Sequence, residues 1–201
     1  MKKAPVALVW AVAAGSVLGA SDSFELIKEK LGAEGCSYYE FISIVESDVF
    51  DDADTASGFA CLASDGRYNV KVADEQYVYD LAYLYTYSAS SNQVIIETPD
   101  SGAVAGEELS FITRLDDVYT TTAVTAGKRY HLVRQPDAVG DYPDSLDVLI
   151  DAQNLLLKQI RYFDVNGDLN IILFTVQDYG LPCADSLFRL MAPDSVETVR
   201  L

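Results

Sequence analysis

One large antiparallel β-sheet, curled until helices must cover its concave face, is the architecture this sequence predicts. Three observations lead there. From Ser37 onward the apolar residues recur mostly at a period of two, the signature of strands rather than helices. The runs are separated by turn chemistry suited to antiparallel neighbours, including Asp65-Gly66 and Asn166-Gly167. Only two or three stretches carry helical spacing, and 201 residues without a low-complexity linker or a fixed repeat fit one domain. A closed barrel is the alternative; it removes sheet edges but leaves the helices without a surface to pack on.

The elements follow in order. Lys2 and Lys3, an uncharged apolar stretch over 4–18 and the small residues Gly19, Ala20 and Ser21 form a secretory signal, so residues 1–20 are expected to be removed and 21–201 to fold as a single exported domain. Asp22-Ser-Phe-Glu25 has the capping pattern that opens a helix, Phe24, Ile27 and Leu31 share one face, and Gly32 stops it. About eleven strands are then expected, at 37–46, 58–63, 67–73, 76–80, 83–87, 93–97, 121–125, 129–134, 146–151, 155–163 and 169–178. Leu109, Ile112 and Leu115 predict a second helix within 106–117, and 184–188 a helical turn before a last extended segment.

Charge narrows the function. The chain has 31 acidic against 14 basic residues, a formal net charge of −17. Nucleic acid is excluded as a partner because phosphate binding needs a basic face, and an anionic lipid surface is disfavoured likewise. The destination expected from the signal is the periplasm, where an oxidising environment favours disulfides. Of Cys36, Cys61 and Cys183 the expected pair is Cys36 with Cys61, each beside an early strand with a short connection between them, leaving Cys183 as a free thiol.

Catalytic constellations are absent from the pattern. His131 is the one histidine, and no Gly-x-Ser-x-Gly elbow occurs for it to serve. Asp164-Val-Asn-Gly-Asp168 begins like a calcium loop but has glycine fourth instead of sixth and Thr175 in place of the closing glutamate, so it reads as a hairpin turn. Asp48, Asp51, Asp52 and Asp54 crowd the connection after the first strand and read as a solvated edge. No metal site, no cofactor and no enzymatic activity are expected. The tyrosines are more informative: Tyr77 and Tyr79, then Tyr83, Tyr85 and Tyr87, alternate along their strands, and Tyr68, Val70 and Val72 form a similar stripe. Such stripes pack either a core or a pocket for an apolar ligand.

In the order of its features the chain resembles the periplasmic carriers of outer-membrane lipoproteins, the LolA-like family, over nearly the whole length after the signal. The matching features are the leading helix, the glycine-containing second strand at 58–63, the turn and aromatic strand Ser64-Asp65-Gly66-Arg67-Tyr68-Asn69-Val70, and the segment Asp80-Leu81-Ala82-Tyr83-Leu84-Tyr85-Thr86-Tyr87 with Gln93-Val94 after it. The Asp-x-Asn-Gly turn at 164–167 and the tail Ala184 to Pro193 complete the order, and a branch of the family carries cysteines on its first two strands. Leu81 stands where the family usually has glycine, Tyr85 where it has tryptophan, and Ser64 and Asp65 replace the arginine and proline of its third-strand turn. The resemblance implies a half-open antiparallel β-barrel of about eleven strands with an α-helical lid over an apolar cavity. It implies a periplasmic carrier that binds the acyl chains of lipoproteins and shuttles them from the inner to the outer membrane. Its partners would be acylated lipoproteins, an inner-membrane lipoprotein-releasing transporter and an outer-membrane lipoprotein receptor, with the carrier a monomer. Tyr68, Val70, Val72, Tyr83, Tyr85 and Tyr87 are the expected cavity residues and Arg67 a polar gate. A periplasmic protein of the same fold that senses lipid, lipoprotein or another hydrophobic ligand is the alternative.

Overall fold

The computed structural model describes residues 22–47, 52–99, 109–125, 127–140, 142–193 and 195–201. The signal peptide expected at 1–20, Asp48, Asp51 and the start of the second expected helix lie outside these residues. Helix α1 (Asp22–Leu31) is followed by β1 (Cys36–Ser47), β2 (Asp52–Ala63), β3 (Tyr68–Val72), β4 (Glu75–Tyr79), β5 (Leu84–Ser88) and β6 (Gln93–Glu97). A 3-10 turn (Ser110–Arg114) runs into the one-turn helix α2 (Leu115–Val118), then β7 (Tyr119–Thr125), β8 (Arg129–Arg134), β9 (Ser145–Asp151), β10 (Leu156–Phe163) and β11 (Leu169–Leu181). A second 3-10 turn (Asp185–Phe188) leads to β12 (Glu197–Arg200).

Among the described residues twelve strands form one sheet in the order β12-β6-β5-β4-β3-β2-β1-β11-β10-β9-β8-β7. Among the described residues its ends, β12 and β7, are not paired with each other, so the sheet is open, and it has twelve strands where a half-open barrel of about eleven was expected. Every neighbouring pair is antiparallel except β12, which returns to lie parallel to β6. Pairing of β1 with β11, far apart in the chain, puts the longest strands near the centre of the sheet.

Alternation gives the sheet an inner and an outer face. The inner face carries the main core: Tyr39, Ala60, Val70, Leu132, Leu146, Val148, Leu157 and Ile160 are buried there with Phe24, Ile27 and Leu31 of α1 and Phe111, Ile112 and Leu115 of the later helical segment. Phe24 stacks on Tyr130 at 4.4 Å between centroids, and Phe111 meets Tyr119 and Tyr162 edge to face. Lys28 of α1 bonds Asp116 of α2, joining the two helical segments over the sheet.

The outer face has a smaller cluster of Cys36, Cys61, Ala63, Val78 and Phe188, packed by Tyr38, Tyr85, Cys183 and Leu190. A C-terminal strap covers it. Phe188 is buried in the cluster, the Arg67 guanidinium lies 4.6 Å from its ring centre and pairs with Asp185 and Asp65, and Asn69 donates to the Leu187 carbonyl at 2.7 Å. Gln76 in turn donates to Asn69, so both buried amides are engaged.

The disulfide corrects the expectation from sequence. Cys36 is bonded to Cys183, and Cys61 is the free, buried thiol. In the register of β1 and β2, Cys36 faces Ala63 and Cys61 faces Tyr38, which makes the two cysteines diagonal neighbours on one face. A diagonal pair is separated by ~7–8 Å, too far for the ~3.8 Å Cβ spacing of a disulfide. The strap instead brings Cys183 over the start of β1.

Local chemistry accounts for the turns. Gly66 and Gly167 take positive φ in the two expected hairpins, and Asp164 accepts the backbone N–H groups of Asn166 and Asp168, a turn and not a metal loop. Leu81, where the resembled family has glycine, adopts φ +80° and is half exposed. A left-handed leucine costs ~1–2 kcal/mol, so Leu81→Gly is expected to stabilise the protein by about 1 kcal/mol once glycine's greater unfolded freedom is counted. A urea midpoint that fell or stayed fixed would contradict that account of the turn.

On the outer face His131 and Arg129 both bond Asp147, at 3.1 and 3.0 Å. Burial pushes the Asp147 carboxyl up, but the bonds from His131 and Arg129 outweigh it and hold the group below the usual carboxylate range. A carboxylate depressed in the folded state stabilises above its unfolded pKa and loses that contribution as pH falls through its folded value. The stability gap between the protein and Asp147→Asn is therefore expected to be open at neutral pH and to close below about pH 4; a gap that stayed fully open well below that pH would be inconsistent with the pairing.

Candidate functional site

The inner face is not completely filled. Helix α1 and the later helical segment pack over the part of the sheet around β8 to β11, and toward the far ends of β1, β2 and β11 a groove of about 410 Å³ remains. The register explains its composition row by row. The deepest row sets Val72, Gly58, Phe41 and Phe174 side by side across β3, β2, β1 and β11. The next is Ala56, Ser43, Ile172 and Ile160, and the outermost is Asp54, Val45, Asn170 and Tyr162. Leu109, entering the helical segment, closes one side.

Gly58 makes the floor possible. A Cβ at this position would collide with the Lys71 carbonyl oxygen and would lie 2.6 Å from the Phe41 ring. The missing side chain lets the Phe41 ring lie flat against its cross-strand partner. Polarity then rises from this floor to the open end, where Asp54 and Asn170 stand.

The expected cavity residues divide between the two faces. Val72 lines the groove. Tyr68 and Val70 lie on the same face but are packed inside the core, Tyr68 against Tyr79 at 5.7 Å. Tyr85 and Tyr87 pair with Val78 and Gln76 and so lie on the outer face, where Tyr85 packs in the strap cluster and bonds Asp80. Tyr83 meets Tyr85 edge to face at 6.2 Å and belongs with it. Arg67 precedes Tyr68 on the outer side and holds the strap through Asp185 and Phe188, so it does not stand at the groove as a gate.

Sequence reasoning missed Phe41, Val45, Ala56, Tyr162 and Ile172. Phe41, Val45 and Ile172 lie on the central strands β1 and β11, which are apolar on both faces: β1 has Tyr39, Phe41 and Val45 inward but Tyr38, Ile42 and Ile44 outward. Alternation carries no contrast in such strands. The signal that could have found the floor is the glycine at 58 in an otherwise regular strand, which marks a close approach by another group.

Among the described residues no cluster of three or more His, Cys, Asp or Glu side chains is placed to hold a metal ion, and no helix is long and apolar enough to cross a membrane. Burial pushes the Tyr179 hydroxyl up to about 12, so the ring that packs on Tyr39 stays neutral.

No family model matches the sequence, and no curated protein matches it. Solved structures do. An uncharacterized conserved protein from Thermus thermophilus is similar over 89% of this chain and 99% of its own, at TM-score 0.50 and 10% identity. A LolA superfamily protein from Nitrosomonas europaea is similar over 85% of this chain and 97% of its own, at TM-score 0.46 and 9% identity. A DUF1329 family protein from Desulfovibrio piger has TM-score 0.45 and 11% identity over 85% and 97%. The likeness is one of fold. It runs along nearly the full length of both chains in the Thermus case.

Proposed function

We propose that this protein is an exported carrier that holds acyl chains in the inner-face groove, its cargo being lipoproteins moved from the inner to the outer membrane. The observation that carries the reading is the groove itself: an apolar floor of Phe41, Val72 and Ile172 left open between a sheet and its helical cover. Each methylene moved from such a floor into water costs ~0.8 kcal/mol, so acyl chains cross an aqueous compartment only inside a host. The order of sequence features shared with LolA-like carriers supports the same reading, as does a disulfide suited to an oxidising compartment.

In this reading residues 1–20 are the cleaved signal and 21–201 the working domain. Val72, Phe41, Val45, Ala56, Tyr162 and Ile172 touch the chain, while Tyr68 and Val70 support the wall behind them. The helical segment from Leu109 is the element that would move to admit cargo, and the transporter and receptor supply and remove it. No bond is made or broken in the cargo, so the protein is not an enzyme.

The test is capture. The mature protein, purified from periplasm, should carry an acylated lipoprotein identifiable by mass, and should bind a purified acylated lipoprotein but not the same protein with its acyl groups removed. Equal binding of both forms would refute the reading.

A further inference from the structure

Three features of the groove, taken together, select one kind of occupant. The first is size: about 410 Å³ lies within the range of a pocket for one small ligand, roughly 300–1,000 Å³, and is modest for several acyl chains side by side.

The second is orientation. The rows of the groove run from Val72, Gly58 and Phe41 at the floor, through Ala56, Ser43 and Ile172, to Asp54 and Asn170 at the open end. An amphiphile therefore enters tail first and leaves its head beside Asp54 and Asn170.

The third is the chemistry of that rim. The Asn170 amide nitrogen already donates to the Asp164 carboxylate and to the Asp168 carbonyl, at 3.3 and 3.2 Å, so what Asn170 has left to offer is its carbonyl oxygen. Asp54 offers a carboxylate, and the Ser43 hydroxyl can act either way. No lysine or arginine lines the groove among the described residues, and Asp164 stands behind Asn170 as a further negative group. Among the described residues Asp54 is the one charged group lining the groove, and in a chain of net charge −17 it repels an anionic head and attracts a cationic or donating one.

We infer that the groove holds one single-chain amphiphile at a time, tail on Phe41 and head at Asp54 and Asn170, and that it selects hydrogen-bond-donating neutral or cationic heads over anionic ones. This rests on the carrier reading and narrows it: cargo engages through one chain, with a donor group next to it.

Calorimetric titration of the full mature protein with dodecylammonium, monolauroylglycerol and laurate, each below its micelle concentration, tests the selection. Dodecylammonium should bind about tenfold or more tighter than laurate, the scale of one unscreened charge contact at a partly exposed site. Asp54→Asn should shrink that ratio to about threefold or less by weakening dodecylammonium and strengthening laurate. Glu40→Gln, the same charge change on the outer face, should leave the ratio unchanged. Each ligand should bind at one per protein, and dilauroylglycerol should gain nothing over monolauroylglycerol. Laurate binding as tightly as dodecylammonium, a ratio unmoved by Asp54→Asn, or a second chain adding affinity overturns the inference while leaving a carrier of chains in place. Failure of all the amphiphiles to bind overturns the carrier reading as well.

Discussion

Loss of the Cys36–Cys183 bond is expected to cost the protein about 5 kcal/mol of stability in the chain-entropy account, and no less than ~2 kcal/mol if the reduced unfolded chain keeps residual structure. The size follows from the 147-residue separation of the two cysteines, far longer than the loop that Cys36 and Cys61 would have closed. The bond ties the strap to the start of β1, so its loss also frees Phe188 and Leu190 from the outer cluster. Urea unfolding of the Cys36→Ser, Cys183→Ser double variant against the oxidised protein measures the cost. Cys61 should be the one thiol labelled after unfolding in the oxidised protein, and it should resist labelling in the folded one, since burial pushes its thiol up and keeps it protonated. Rapid labelling of folded Cys61, or an unchanged midpoint in the double variant, would count against this arrangement.

Gly58→Ala is expected to cost about 2–3 kcal/mol, more than most exposed-strand substitutions, because neither neighbour can yield. One is the Lys71 carbonyl, fixed in the ladder of β3, and the other is the Phe41 ring, buried at the base of the groove. The shift forced on Phe41 should reduce ligand affinity together with stability. A comparison with Gly66→Ala separates the causes: Gly66 has open space around it and a positive φ, so its substitution carries only the backbone penalty of ~1 kcal/mol and leaves binding intact. A Gly58→Ala variant as stable as the parent would remove the packing explanation of this glycine.

Much of the fold was written in local patterns that strands and turns cannot avoid. Asp65-Gly66 and Asn166-Gly167 made the hairpins they signalled, and Phe24, Ile27 and Leu31 became the buried face of α1 because no other packing hides all three. The polar opening of β2, Asp52 to Ser57, was missed because its residues are mostly exposed and it is held by ladder bonds to β1 rather than by burial. The last extended segment was expected, but its pairing as β12 beside β6 was not, because that is fixed by long-range bonds at Asn92: Nδ2 donates to the Ser195 carbonyl, and the Asn92 carbonyl accepts from the Glu197 N–H. The tyrosines divide between the two faces for a geometric reason. A period of two says which residues of a strand share a face but not which face, and the phase between β4 and β5 is set by the turn at 80–83, which pairs Val78 with Tyr85 and Tyr77 with Thr86. Tyr77 and Tyr79 therefore stay inside while Tyr85 and Tyr87 turn out.

If acyl chains lodge in the inner groove, filling that groove should keep them out. Ala56 stands in the middle row with room in front of it, so Ala56→Trp should occupy the space a chain would take, and Ser43→Leu should do so in part. Binding of a fluorescent long-chain amphiphile with a donating head is the measurement, with Tyr87→Ser on the outer face as comparator and circular dichroism to confirm folding. At least a tenfold loss of affinity is expected in folded Ala56→Trp, a smaller loss in Ser43→Leu and no change in Tyr87→Ser. Unchanged affinity in both groove variants, with the loss appearing in Tyr87→Ser, would place the ligand on the outer face and contradict binding in the groove.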